Sequence, residues 1–108
     1  MDNSRKDFNQ TKIAQLNTNH SPAATTAFLN YCNNKNIDIA LISEPPTKQT
    51  LPNIPKRLCP IFIAPTNNNQ RVRACMCILN PKLQPIIISH LSTPDFLVCD
   101  FNNFIFIF

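Results

Sequence analysis

The feature that most constrains the fold is a strand, a helix and a second strand that follow one another within residues 12–43. Residues 12–18 and 37–43 are short segments whose apolar residues fit β-strands. Between them, Ser21 is a favourable N-cap and Pro22 suits the first position of a helix. A strand–helix–strand unit of this length places its two strands parallel in one sheet. The sequence therefore predicts an α/β fold.

The end and the buried face of this helix can also be predicted. Since the chain contains no glycine, the asparagines after residue 32 are expected to supply the left-handed residue that ends a helix. Asparagine is likewise expected at other turns that need a positive φ. One apolar face follows the spacing of three and four residues and consists of Ala24, Ala27, Phe28, Tyr31 and Cys32.

After residue 44 the chain changes to a β pattern. Residues 45–65 carry six prolines, which cannot donate to a strand ladder, so a loop with at most one short strand at 61–64 is predicted there. Asn102 and Asn103 suit a two-residue hairpin between the last two strands. The last strand is apolar with no turn after it, so residues 12–108 are expected to be part of a larger domain that follows a disordered leader, 1–11. Four further strands are predicted, at 73–79, 85–91, 96–101 and 104–108.

The composition excludes several classes of protein. With 44% hydrophobic and 15% charged residues, the chain can pack a core and is not a disordered protein. No run of 18 apolar residues and no apolar signal core is present, so a membrane span or secretion is not expected. The five cysteines lack the spacing of a zinc site and are expected to be buried, reduced thiols in an intracellular protein. A net charge of +4 is compatible with a polyanionic partner.

Two polar clusters follow the two predicted parallel strands. Asn17, Asn19 and His20 lie between the first strand and the helix, and Glu44 comes directly after the second strand. In open α/β sheets, sites form at the carboxyl ends of the strands, so Asn17 and Glu44 are expected to meet there. A carboxylate beside carboxamides suits a hard cation such as Mg²⁺. The alternative is that these are ordinary turn residues and that Glu44 is a solvated strand end.

Basic residues near these clusters are candidate contacts to phosphate. Each phosphate that they neutralise would add salt-dependent affinity for nucleic acid. The alternative for each basic residue is a solvated surface charge. His20 could also bind phosphate, and the alternative for His20 is a turn residue before the helix. The candidate cations are Arg71, Arg73, Lys48, Lys56, Arg57 and Lys82.

Four short motifs follow one another in the chain: Asn17-Thr18-Asn19-His20-Ser21, Ala23-Ala24, Ile37-Asp38-Ile39 and Ser43-Glu44-Pro45. Their order resembles the start of the endonuclease/exonuclease/phosphatase family, and more closely the apurinic-type endonuclease domain of non-LTR retrotransposons. The resemblance implies the N-terminal half of a two-layer β-sandwich flanked by helices, and hydrolysis of DNA phosphodiesters with Mg²⁺ or Mn²⁺. It also implies a nuclear location, Glu44 as the metal ligand, and a catalytic role for Asn17 beside the metal and the phosphate. Asn19, His20, Arg71 and Arg73 are then the expected phosphate or DNA contacts.

The resemblance further implies that the catalytic residues are divided. In that family a tyrosine, an Asp-x-Asn motif and a final Asp-His pair come later in the domain than the residues matched here. The expectation is therefore a truncated endonuclease, inactive alone, with DNA and the missing C-terminal half of the domain as partners. His90 is expected to be a packed or edge residue and not a substitute base. The alternatives are a small basic nucleic-acid-binding or interaction protein without catalysis, and a relic without function.

Overall fold

The computed structural model describes residues 11–65, 70–83, 86–87, 92–101 and 104–108. Its strands form a four-stranded sheet, a three-stranded sheet and a separate two-stranded hairpin. The predicted leader lies outside the described residues except for Thr11. In chain order the elements are β1 (Ile13–Asn17), α1 (Pro22–Asn34), β2 (Ile39–Ser43), β3 (Thr47–Lys48), β4 (Leu51–Pro52), β5 (Ile61–Ile63), β6 (Ala74–Ile78), β7 (Ile86–Ile87), β8 (Val98–Phe101) and β9 (Phe104–Ile107).

The predicted strand–helix–strand unit is confirmed. Strands β1 and β2 are parallel neighbours, and their register places Asn17 opposite Ser43 at the carboxyl ends of both strands. On its other side β2 pairs antiparallel with β6, and β6 pairs antiparallel with β5. The four-stranded sheet is therefore mixed, and the α/β fold class predicted from the sequence is confirmed.

Strand β2 is covered on both faces, because its side chains alternate between two layers. Ala40 and Ile42 belong to one core cluster with Leu29 of α1. Leu41 belongs to a second cluster with Leu97, which directly precedes β8 of the three-stranded sheet. The layers therefore run helix, sheet, sheet, which is the flanked two-layer arrangement that the resemblance implies.

Both ends of α1 form as predicted. Ser21 is the N-cap, and its hydroxyl oxygen accepts a hydrogen bond from the backbone N–H of Ala24 (3.0 Å). After the last turn, Asn36 takes a left-handed φ of 56°. The N–H of Ile37 then donates to the carbonyl of Cys32 (2.9 Å), which is the long hydrogen bond of a Schellman motif. Asparagine therefore ends this helix where glycine usually does.

The predicted face of α1 is confirmed only in part, because Cys32 is buried and Phe28 packs against the core, but the centre of the buried face lies about one position further along the helix. Tyr31 is 55% exposed, whereas the buried residues of the helix are Thr25, Leu29 and Cys32. The hydroxyl of Thr25 donates to the carbonyl of Ser21 (2.9 Å), so this polar side chain is buried with its donor satisfied. The prediction from hydrophobic residues did not include threonine. It therefore did not place Thr25 and Leu29 at the centre of the helix face that packs on the sheet.

The proline-rich segment 45–65 is more ordered than the loop that was predicted. It contains the short hairpin β3-β4 as well as the three-residue strand β5. Pro46 and Pro52 are buried, and the N–H of Asn53 donates to the carbonyl of Pro46 (2.8 Å) across the base of the hairpin. Gln49 supplies the left-handed residue at its tip, with φ 61°.

The later strands follow the predicted order. Strand β6 is buried along its whole length, and β8 pairs antiparallel with β9 so that Phe101 lies opposite Phe104. This register agrees with the predicted two-residue hairpin, although its two asparagines lie outside the described residues. Of the predicted strand 85–91 only β7 is described, so the expectation for His90 also lies outside the described residues.

The five cysteines are free and buried, as predicted. Burial raises the pKa of the Cys99 thiol to about 11. The pKa of the Cys59 thiol is raised first by its contact with Cys77 and then by burial. The thiols of Cys59 and Cys99 therefore stay protonated at neutral pH and act as small apolar side chains.

Asp38, the aspartate of the Ile37-Asp38-Ile39 motif, has a structural role at the amino end of β2. Its buried carboxylate accepts hydrogen bonds from the Lys12 N–H (2.8 Å) and from Asn80 Nδ2 (3.0 Å). It therefore ties the starts of β1 and β2 to the end of β6.

Among the described residues, α1 has neither the length nor the hydropathy of a membrane-spanning helix.

Candidate metal and phosphate site

The backbone of Glu44 is fixed from both sides at the carboxyl end of β2. Its N–H donates to the carbonyl of Arg73 (2.8 Å), which extends the β2–β6 pairing by one residue. Its carbonyl accepts from the N–H of His20 (2.8 Å) and from the hydroxyl of Thr18 (3.0 Å). These bonds hold Glu44 at a left-handed φ of 48°, a conformation that disfavours any residue with a Cβ atom.

The turn between β1 and α1 holds two more left-handed residues, Asn19 (φ 51°) and His20 (φ 63°). The N–H of Asn19 donates to Oδ1 of Asn17 (2.9 Å), which closes the turn at the end of β1. The prediction that asparagine takes the positive φ positions is confirmed at Asn19 and Asn36. It missed His20 and Glu44, because their angles are imposed by long-range hydrogen bonds that the sequence does not show.

The side chains of His20 and Glu44 face each other. His20 Nε2 lies 3.6 Å from Glu44 Oε2, and the two side chains are 38% and 39% exposed. The other ring nitrogen, Nδ1, lies 3.3 Å from the carbonyl oxygen of Pro45. A carbonyl can only accept, so Nδ1 carries the proton in this hydrogen bond and Nε2 is the nitrogen that faces the carboxylate.

Four of the predicted site residues line one polar cavity of about 560 Å³. They are His20, Glu44, Arg71 and Arg73, and they come from the ends of β1 and β2 and from the segment that leads into β6. Asn17 and Asn19 are not among the lining residues and lie in the adjoining turn. The other predicted cations do not line the cavity and are exposed elsewhere: Lys48, Lys56, Arg57 and Lys82.

The structure adds a second carboxylate to the cavity, Asp95, which the sequence did not single out. Asp95 Oδ1 lies 3.6 Å from Nε of Arg73. The N–H of Arg73 also donates to the carbonyl of Pro94, so one turn holds both the backbone and the side chain of this arginine. In the sequence Asp95 is an ordinary turn residue, and its long-range contact with Arg73 places it in the cavity that Glu44 also lines. Gln70 and Pro94 complete the lining.

The described residues fit a cation with few protein ligands. Nowhere in the described ranges do three or more histidine, cysteine, aspartate or glutamate side chains converge as a metal-binding group. Mg²⁺ is commonly held by one or two carboxylates and completes its coordination with water and substrate phosphate. Glu44, half-buried at the wall of an open polar cavity that also holds two arginines, meets that requirement.

Comparison with solved structures shows that this is an endonuclease-like α/β fold. The chain is similar to the endonuclease domain of TRAS1, a telomere-specific non-LTR retrotransposon, with a TM-score of 0.64 and 17% sequence identity. The match covers 90% of this chain and 42% of that chain, so the chain spans less than half the length of the domain it resembles. No family model and no curated protein matches the sequence. The resemblance inferred from the sequence motifs is thus confirmed at the level of the fold.

Proposed function

We propose that this chain forms the metal-binding and phosphate-binding part of a Mg²⁺-dependent DNA endonuclease site of the retrotransposon type, and that it does not cleave DNA alone. The observation that carries the proposal is the cavity at the carboxyl ends of β1 and β2. It combines one fixed carboxylate, Glu44, with Arg71 and Arg73. The likeness to the TRAS1 endonuclease domain supports the same assignment. The proposal places the protein in the nucleus, where its DNA substrate lies.

Each residue has a distinct task in this proposal. Mg²⁺ or Mn²⁺ at Glu44 would polarise a phosphoryl oxygen and stabilise the leaving oxyanion. Arg71 and Arg73 would neutralise the phosphate and hold the backbone of the DNA against the cavity. Asn17 would keep the turn that carries His20 beside Glu44, because its Oδ1 closes that turn.

A general base is the part that we propose must come from elsewhere. Among the described lining residues, the groups that could accept a proton from water are His20, Glu44 and Asp95. In this proposal each has another partner: Glu44 holds the metal ion, His20 Nε2 faces Glu44, and Asp95 faces Arg73. The match covers 42% of the TRAS1 endonuclease chain, and the remaining part of a domain of this kind is the proposed partner that supplies the base.

Nicking of supercoiled plasmid tests this proposal. The purified chain with Mg²⁺ should bind DNA without nicking it. Co-expression with the C-terminal half of a retrotransposon endonuclease domain should restore nicking, and Glu44→Gln or removal of Mg²⁺ should abolish it. Glu44-dependent nicking by the chain alone would overturn the claim that it is inactive by itself.

A second candidate, a basic nucleic-acid-binding protein without chemistry, is favoured by the two arginines in one cavity of a chain with pI near 9.0. Under this alternative the chain binds DNA with an affinity that falls with salt, and neither Mg²⁺ nor Glu44→Gln changes that affinity. A gel-shift titration with and without Mg²⁺ separates the two candidates. The endonuclease proposal requires that Mg²⁺ strengthens binding only while Glu44 is present.

A further inference from the structure

We infer that His20 is a metal ligand, and that His20 Nε2 and Glu44 Oε2 together bind one divalent transition-metal ion in preference to Mg²⁺. The sequence predicts a phosphate contact for His20, so this assigns the imidazole a different role. The inference rests on the proposed function only for the reaction in which the ion would take part. The positions of the two side chains do not depend on that reaction.

The hydrogen bonding of the imidazole ring supports this role. The Nδ1–H of His20 donates to the carbonyl of Pro45 (3.3 Å), which directs Nε2 at the carboxylate. Histidines that bind metal ions almost always donate their second ring N–H to a carboxylate, a backbone carbonyl or water. In the neutral ring, Nε2 then presents a lone pair to the oxygen of Glu44, an arrangement that a shared cation stabilises.

The distance between the two atoms also fits a shared ion. The 3.6 Å between His20 Nε2 and Glu44 Oε2 is longer than an ordinary hydrogen bond. Two ligands that each lie about 2.1 Å from one ion are roughly 3.0–3.4 Å apart at octahedral to tetrahedral angles. Both side chains are more than one-third exposed, so a small rotation supplies the remaining few tenths of an ångström.

The backbones of the two ligands are bound to each other. The N–H of His20 donates directly to the carbonyl of Glu44 (2.8 Å), and both residues keep left-handed φ angles. The ion would therefore bind between two fixed main-chain positions. Asp95 lies against Arg73, which offsets the positive charge of that arginine next to the ion. Two protein ligands leave the other coordination positions to water and phosphate oxygens.

The ligand types decide which ion the site prefers. Mg²⁺ prefers oxygen ligands and gives up its water reluctantly. Imidazole nitrogen suits first-row transition metals, whose affinity for such sites rises from Mn²⁺ towards Cu²⁺ and remains high for Zn²⁺. A site with one nitrogen and one carboxylate oxygen is thus expected to bind Mn²⁺ and Zn²⁺ more tightly than Mg²⁺.

Metal binding by the full-length, tag-free chain tests the inference without any measurement of activity. Mn²⁺ is titrated and the free ion is followed by its electron paramagnetic resonance signal, with Mg²⁺ as the competitor. His20→Asn is the informative variant, since asparagine tolerates a left-handed φ and removes the imidazole. His90→Asn, which removes the other histidine of the chain, is the matched control. Far-UV circular dichroism establishes that each variant is folded.

His20→Asn should weaken Mn²⁺ binding by about tenfold or more, whereas His90→Asn should leave it unchanged. The Mn²⁺ complex should show a ¹⁴N coupling from directly bound imidazole by pulsed resonance, and this coupling should be lost in His20→Asn. Equal loss of Mn²⁺ and Mg²⁺ affinity in a folded His20→Asn variant, or no ¹⁴N coupling in the wild type, would overturn the inference.

The outcomes also separate this inference from the proposed function. If Glu44→Gln abolishes metal binding and His20→Asn has no effect, the endonuclease proposal survives and the histidine ligand is rejected. If His20→Asn abolishes selective Mn²⁺ binding but co-expression never restores nicking, the metal site stands and the endonuclease proposal is rejected.

Discussion

The left-handed backbone of Glu44 predicts that glycine stabilises this position. Glu44→Ala and Glu44→Gly both remove the carboxylate, and they differ only in the Cβ atom. With φ at 48°, that atom should destabilise the folded chain by about 1–2 kcal/mol. Glycine avoids this cost, but its greater conformational freedom in the unfolded chain destabilises the folded state by about 0.5–1 kcal/mol relative to alanine. The free energy of unfolding of Glu44→Gly should therefore exceed that of Glu44→Ala by about 0.5–1 kcal/mol.

Equilibrium unfolding in urea, followed by circular dichroism, measures this difference. The matched control is Lys48, an exposed residue in strand β3, where glycine should be less stable than alanine by about 0.5–1 kcal/mol. The sign of the glycine effect should thus reverse between the two positions. If glycine is destabilising at both, Glu44 does not hold a left-handed conformation, and the backbone frame described for the site is wrong.

Three further predictions concern charge, pH and packing. Asp95→Asn should tighten DNA binding about two- to fivefold in gel-shift titrations, because it releases Arg73 from its ion pair. The control is Asp100→Asn, which changes the net charge by the same amount outside the cavity and should have less effect. Burial raises the pKa of Cys99 to about 11, so from pH 9 to 11 only the unfolded chain loses this proton and stability falls. Cys99→Ala should therefore reduce the measured loss of unfolding free energy, by up to about 1.4 kcal/mol per pH unit near the middle of that interval. Leu29→Ala should lower the free energy of unfolding in urea by about 2–5 kcal/mol and Tyr31→Ala by less than about 0.5 kcal/mol, and the reverse order would contradict the observed helix face.

The local parts of the fold could be predicted from the sequence because the chemistry that sets them is local. Ser21 caps α1 through a backbone amide three residues away, and Asn36 ends the helix through its own φ angle. The buried face was misjudged because Thr25 is polar by type yet buried, with its hydroxyl satisfied within the same helix. The spacing of hydrophobic residues alone cannot identify a polar residue that is buried.

The same distinction holds for the candidate site. That Asn17 and Glu44 lie at the same edge of the sheet could be predicted, since β1 and β2 are parallel neighbours and Asn17 pairs with Ser43, the residue before Glu44. Asp95 could not be predicted, because it reaches the cavity only through the bond between the Arg73 N–H and the Pro94 carbonyl. The contact of His20 with the Pro45 carbonyl depends equally on the final fold.

The main-chain hydrogen bonds around Glu44 have a consequence for how such a site changes during evolution. The positions of His20, Glu44 and Arg73 are set by bonds between amides and carbonyls, which every residue except proline can form. Substitution of their side chains can therefore alter the chemistry of the cavity while its frame persists. The shape of the site is thus set by the backbone, and its chemistry by the side chains that this backbone carries.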